Sequence, residues 1–250
     1  MNIEDYLAQG GVLTSPDNVP PRYRGELLRL MSAFVDSELA TSAGFADCIN
    51  HCPGIRERIS ASRITLEKAD HAERVLAVMH SFGTNIERYQ QQHDWAARVP
   101  RDTALNALPP GLDMRLPIFH YPLTSWVDAV VMNVLQGLAA TVQFEELTRI
   151  SYSPLQAIFV AIAPREARHT QLGLQALARI TESQEGHEQA QASLHYWLPR
   201  AAAPFEHPPS SRHDVLLRLG LRHQSNAQLL KQWQQQVRQQ LQGLKLPIPA

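Results

Sequence analysis

Cysteine is scarce: Cys48 and Cys52 are the only two in 250 residues, so no disulfide framework is available to hold the chain together. With His51 between them and no second Cys/His pair nearby, the CxxxC spacing is a weak zinc signal. Two free thiols at a helix end, in a reducing cytoplasm, are expected. An excess of one charge is also missing. Lys and Arg number 23 and Asp and Glu 24, for a net charge of −1, which gives no electrostatic handle for nucleic acid or an anionic membrane. The N-terminal stretch carries acids where a signal peptide needs a basic segment, and no run of 18 or more apolar residues marks a membrane span. The longest apolar run, from Ala129 to Val142, is interrupted by Asn133, Gln136 and Thr141 and reads as a helix buried within a bundle. Strand-like alternation and internal repeats are absent too.

What remains is helical periodicity in a chain that is 44% hydrophobic, long enough for one large domain with a substantial core. Residues 1–21 read as an irregular leader ending at Val19-Pro20-Pro21, and residues 22–250 as a single helical domain. Leu27, Leu30, Met31, Phe34, Val35 and Leu39 recur at three- and four-residue steps in a first helix. After Pro53-Gly54, a second carries Ile64, Val75, Met79 and Phe82, with Gly83 as its cap. From Asn85 to Tyr121 the chain is polar and then rich in proline (Pro100, Pro109, Pro110, Pro117), which predicts a short helix and a long connection. A third helix spans about Thr124 to Arg149, and a fourth follows Ser153-Pro154, with Pro164 expected to kink it or mark a bulge. Two more are expected near Gly186 to Phe205 and Ser211 to Leu244, split by His207-Pro208-Pro209. Two helix pairs joined by one long crossover make an all-α, ferritin-like bundle with additional C-terminal helices.

Polar residues on the apolar stripes carry the chemistry. Glu38 lies in line with Leu27, Met31 and Val35. On the second helix, stepping back from Met79 and Val75 reaches His71, Lys68 and Ile64. On the fourth, Ile158, Phe159 and Ile162 lead to Glu166 and His169. A buried charge needs a partner or a metal. Glu166-Ala167-Arg168-His169 is a Glu-x-x-His, with carboxylate and imidazole on one helix face. Two-metal carboxylate bundles use two such motifs plus a lone glutamate from each of the other helices. The second motif is incomplete, because Lys68 stands three before His71, although Glu67 at i−4 shares that face. On the third helix the inward candidates are Gln136 and Asn133, with Asp128 nearer its start.

Three segments resemble one known family. They are Pro21-Arg22-Tyr23-Arg24 through Ser37-Glu38, the F-x-Y-P-x-x-S-W-x-D string from Phe119 to Asp128, and Arg149 to Pro154 leading on to Glu166 and His169. Tyr196-Trp197-Leu198-Pro199 and Leu246-Pro247-Ile248-Pro249 look like later landmarks. Together they are similar to the ferritin-like phenylacetic acid catabolic proteins, the family of the catalytic subunits of phenylacetyl-CoA epoxygenases, over roughly residues 19–249. The resemblance implies metal ligands at Glu38, Lys68, His71, Gln136, Glu166 and His169. Lys68 stands where a bridging glutamate is expected, and Gln136 where an aspartate is.

Two function readings follow. In the first the chain is an O₂-dependent oxidoreductase, a monooxygenase-like or oxidase enzyme with one or two iron or manganese ions. Its ligands come from Glu38, His71, Glu166, His169 and Glu67, and Lys68 and Gln136 have catalytic, site-tuning roles. In the second, no metal is bound, Lys68 replaces the cation, and the chain is a structural or regulatory subunit of an oxygenase complex. The resemblance implies a small-molecule substrate such as an acyl-CoA thioester, and a homo- or hetero-oligomer with an oxygenase partner subunit.

Overall fold

A computed structural model describes residues 3–108, 113–206 and 210–248, apart from the side chain of Ala8. The proline pairs at 109–110 and 208–209, His207 and Pro249 lie outside the described residues. Nine α-helices occur among those described, and the one β-type contact is an isolated bridge between Leu13 and Tyr152. The chain is all-α and consistent with a ferritin-like bundle.

Four long helices make the bundle: α2 (Pro21–Cys48), α3 (Ile55–Ser81), α5 (Trp126–Leu147) and α6 (Ser153–Ile180). Pro21 starts α2 where a missing amide costs nothing, and the Ser125 side chain caps α5 by accepting from the Asp128 amide. Gly83, at φ +88°, turns the chain just past the end of α3, the left-handed step that favours glycine. Cross-helix contacts set the directions. Glu57 meets Arg179 and Asp70 meets Arg165, so α3 and α6 are antiparallel. Asn133 meets His169 and Phe144 meets Phe159, so α5 and α6 are antiparallel as well. Hence α3 and α5 point the same way, which is why a long crossover must return the chain between them.

That crossover contains α4 (Ile86–Gln92) and is pinned at two points. Asp36 of α2 accepts from the Tyr89 hydroxyl (2.8 Å), the Trp95 indole (3.1 Å) and the Met114 amide (2.7 Å). The Arg115 guanidinium, beside Asp113, donates to the carbonyls of Asp94, Trp95 and Ala97. Anchors of this kind offset the entropy cost of ordering so long a connection.

An outer layer of α7 (Gln184–Ala202), α8 (Ser211–Arg218) and α9 (Asn226–Gly243) completes the chain. Here the single helix expected over Ser211–Leu244 is corrected to two. Gly220 adopts φ +63° between them, and a Cβ there would lie 3.0 Å from the Ser151 Cβ. Helix α6 runs on through Pro164. Proline at 164 has no amide to give the carbonyl of Val160, which is an exposed residue. Within the first 21 residues, α1 (Ile3–Ala8) and a 3-10 turn at Pro16–Asn18 are formed, and Leu7 and Leu13 are buried. Helix α5 is long and apolar enough to cross a membrane by composition, but 72% of its most apolar window is buried inside the bundle as the central helix.

The buried side chains fall into two groups. Tyr23, Leu27, Met31, Val35, Val75, Met79, Phe144 and Phe159 belong to one. Ala40, Phe45, Ile64, Val130, Leu135, Trp197 and Trp233 belong to the other. Each large apolar side chain stabilises the fold by about 1.5–3 kcal/mol. The interruption between the groups coincides with one layer of charged residues.

Candidate functional site

Three helices meet in that layer. Glu38 comes from α2, Lys68 and His71 from α3, and Glu166 and His169 from α6, none more than 6% exposed. Burial without pairing is costly for every one of them, and their contacts answer that cost unevenly. The Lys68 ammonium donates to Glu38 Oε1 at 2.8 Å and to Glu166 Oε2 at 2.7 Å, bridging the two carboxylates. His71 Nδ1 lies 3.0 Å from Glu38 Oε2 and 3.0 Å from Glu166 Oε1. On the far side, His169 Nε2 donates to Glu67 Oε2 at 2.7 Å, while its Nδ1 faces Glu166 Oε1 at 3.4 Å.

The electrostatics follow. Burial works against a charged Lys68, but the Glu166 and Glu38 carboxylates more than offset it and hold the ammonium above its ordinary range. Burial would raise Glu166, yet Lys68 and the two imidazoles bring it well below the usual carboxylate range. Burial also disfavours a charged His71, and its contacts with Glu166 and Glu38 reverse this and raise it. With Lys68 and His71 both charged, two cations balance two carboxylates.

The structure thus brings Glu38, Lys68, His71, Glu166 and His169 together in one layer of α2, α3 and α6. Glu67 joins through the outer nitrogen of His169 rather than beside Glu38. Gln136 of α5 is half-buried, and its Oε1 has no hydrogen-bond partner. In the same layer His71 Nε2 has no partner, and Glu166 Oε1 and His169 Nδ1 are held only by ion pairs, at 3.0 and 3.4 Å. Two glycines bring α5 and α6 close around His169. A Cβ at Gly137 would lie 2.4 Å from Thr170 Oγ1, and one at Gly173 would lie 2.6 Å from Asn133 Nδ2. Asn133 in turn donates to the His169 carbonyl at 2.9 Å.

A centre of two metals does not fit this donor set. Of the six positions implied for it, Lys68 puts a cation where a bridging anion is needed, and Gln136 is neutral. Glu38, His71 and Glu166 do form a group able to hold one ion, with one ligand atom each within 4.8 Å of the others.

Another buried carboxylate has a role that the sequence did not reveal. Asp128, read as a cap or neighbour of the site, is instead a hub on the crossover side of α5. It accepts from Arg101 (2.6 Å), the Thr124 amide (3.1 Å), the Ser193 hydroxyl (3.2 Å) and the Trp197 indole (2.7 Å). Arg101 also stacks 3.6 Å from the Tyr196 ring centroid. Its sequence signals were an acid in the first turn of a very apolar helix and its place at the end of the F-x-Y-P-x-x-S-W-x-D string.

The sequence profile of the phenylacetic acid catabolic proteins matches residues 7–250. A 1,2-phenylacetyl-CoA epoxidase subunit of Escherichia coli (strain K12) is 25% identical over 199 residues, which is 78% of this chain. The match spans 59% of that relative's length.

Proposed function

Since the chain belongs to the phenylacetic acid catabolic protein family, we propose that it is a metal-free member, a structural or regulatory subunit of an oxygenase complex. The observation that carries this reading is the Lys68 ammonium, 2.8 and 2.7 Å from the carboxylates of Glu38 and Glu166. It supplies in place the positive charge that a metal would otherwise provide, and in doing so it ties α2, α3 and α6 together. A missing contact points the same way. A ligating histidine ordinarily donates its outer nitrogen to a carboxylate or carbonyl, and His71 Nε2 has no such partner. The relative's name is that of one chain of a larger epoxidase assembly, which supports a subunit role. The setting is cytoplasmic, with Cys48 and Cys52 as free thiols.

One observation favours the oxygenase reading. The 3.0 Å separations from His71 Nδ1 to Glu38 Oε2 and Glu166 Oε1 match the edges of about 3.0 Å expected for an octahedral ion bound at about 2.1 Å. In that reading Glu38, His71 and Glu166 hold one iron or manganese, which would supply O₂ chemistry; the two carboxylates balance a divalent ion, and Lys68 tunes the site or supplies a proton.

Elemental analysis after anaerobic Fe(II) loading separates the two. The wild type is expected to stay substoichiometric in metal, and Lys68→Glu, which completes the second Glu-x-x-His, to gain about one to two ions per chain. About one iron per wild-type chain with O₂ uptake would overturn the metal-free reading in favour of the single-ion one.

A further inference from the structure

Seven large apolar side chains are well exposed among the described residues, and three of them stand on α3: Ile55 (80%), Ile59 (57%) and Leu66 (71%). Steps of four and seven residues put them on one stripe, opposite the face of α3 that carries Ile64, Lys68 and Val75 into the bundle. Single exposed apolar residues are ordinary, but three large ones aligned on one helix make a surface fit for a partner. The stripe continues through two small side chains, Ser62, which is exposed, and Ala69, which is half-buried. Large and small positions therefore alternate along it, from Ile59 and Ser62 to Leu66 and Ala69.

The charges beside the stripe are divided along the helix. Its first half presents Arg56, Arg58 and Arg63, all exposed, and the one acid there, Glu57, is engaged by Arg179 at 3.3 Å. Arg56 and Arg63 have no ion pair or side-chain hydrogen bond among the described residues. In the second half the exposed acid is Glu73, with Asp70 one turn before it, 2.9 Å from Arg74. A parallel copy of the helix would set like charge against like. An antiparallel copy sets the unpaired arginines toward the acids, and a two-fold axis makes every such contact occur twice.

We propose that this stripe is a dimer contact, in which α3 of one copy of the chain lies antiparallel to α3 of a second, with the two-fold axis at the level of Ile64. Leu66 then packs against Ser62 of the second copy and Ile59 against its Ala69, large into small on both sides of the axis. Arg56 comes between Asp70 and Glu73 of the second copy. Arg63 sits close to the axis and faces its own copy, an unfavourable pair. The overlap runs from Ile55 to Glu73, about 28 Å of helix. A contact one helix wide is at the small end for protein interfaces, so a dissociation constant of about 1–100 μM is expected. The contact does not depend on the metal-free reading, since Lys68 lies on the opposite, buried face of α3.

The test is sedimentation equilibrium of the full chain at up to about 200 μM, above that range. A reversible monomer–dimer equilibrium is expected. Leu66→Glu and Ile59→Glu change exposed side chains, so each should keep the wild-type melting temperature and weaken the dimer by about a hundredfold. Arg56→Gln should weaken it by about tenfold, whereas Arg63→Gln should tighten it. That opposition separates an antiparallel α3 contact from non-specific apolar association. If one glutamate variant fails to fold, the other decides the matter. A chain that stays monomeric overturns the proposal and leaves the stripe to a different subunit. A dimer that survives both glutamate substitutions, or one that Arg63→Gln weakens, overturns it as well. Metal content is measured separately, so failure here leaves the metal-free reading standing, and its failure leaves this one standing.

Discussion

Two of the buried carboxylate assemblies in the bundle solve the same problem in different ways. Asp128 is met from several segments by donors suited to one carboxylate: a guanidinium, an indole, a hydroxyl and a backbone amide. That assembly is finished, and it clamps the crossover, α5 and α7 together. The cluster around Lys68 is neutral but unfinished. It leaves His71 Nε2 without a partner and holds Glu166 Oε1 and His169 Nδ1 by ion pairs alone, at 3.0 and 3.4 Å. Saturated buried charge is the mark of a structural device. Unsatisfied buried polar atoms next to charged ones mark a place shaped by another demand, here the ligand geometry of a family whose site this chain has altered.

The sharpest way to break the comparison is Lys68→Met. Removing the cation leaves Glu38 and Glu166 facing each other with His71 alone between them, and should cost about 3–5 kcal/mol of stability by urea denaturation at neutral pH. A divalent ion such as Mn²⁺ is expected to restore part of that loss, because the two carboxylates and His71 become free to bind it. Loss without any metal response would mean that the cluster is as purely structural as Asp128.

Asp128→Asn is the matched change in the other assembly. It keeps the shape and removes the charge from the Arg101 and Trp197 contacts, for an expected cost of about 1.5–3 kcal/mol. No divalent ion should restore it. A metal-dependent recovery in this variant would erase the distinction between the two assemblies.

The smallest effect is in the pH dependence. Glu166 is held below its unfolded value of 4.5, so its stabilising contribution is present above that pH and is lost as pH falls through the lower folded value. The wild-type contribution of this group is therefore flat from neutral pH down to about 4.5. In Lys68→Met burial dominates instead, the folded value rises above the unfolded one, and stability increases as pH falls through it. The variant should thus gain stability on acidification in a range where the wild-type contribution of this group is flat, by on the order of 1 kcal/mol per pH unit at most. Parallel slopes in thermal melts of the two proteins would show that Lys68 does not control Glu166.

Much of this was legible along the chain. The apolar stripes place Glu38, Lys68, His71, Glu166 and His169 inward, because a helix repeats its faces every 3.6 residues and an inward charge stands out against Leu, Val and Phe. The proline-rich stretch announced the crossover. Less was legible where distant segments decide. Asp36, beside Val35, gave no sign that it anchors Trp95 and Met114. The last helical segment did not reveal its break, because the left-handed φ of Gly220 is needed only where the chain passes close to Ser151.

By itself, then, the sequence determined the helices, their buried faces and the residue types that would meet inside, since these depend on local backbone geometry and on the removal of apolar surface from water. Tertiary structure alone decided the pairing: that Lys68 spans Glu38 and Glu166, that Glu67 turns to His169 instead of to His71, and that Asp128 faces Arg101 and Trp197. Those choices rest on the register and spacing between helices far apart in the chain. Shifts of a fraction of an ångström there separate a hydrogen bond from an unpaired buried charge.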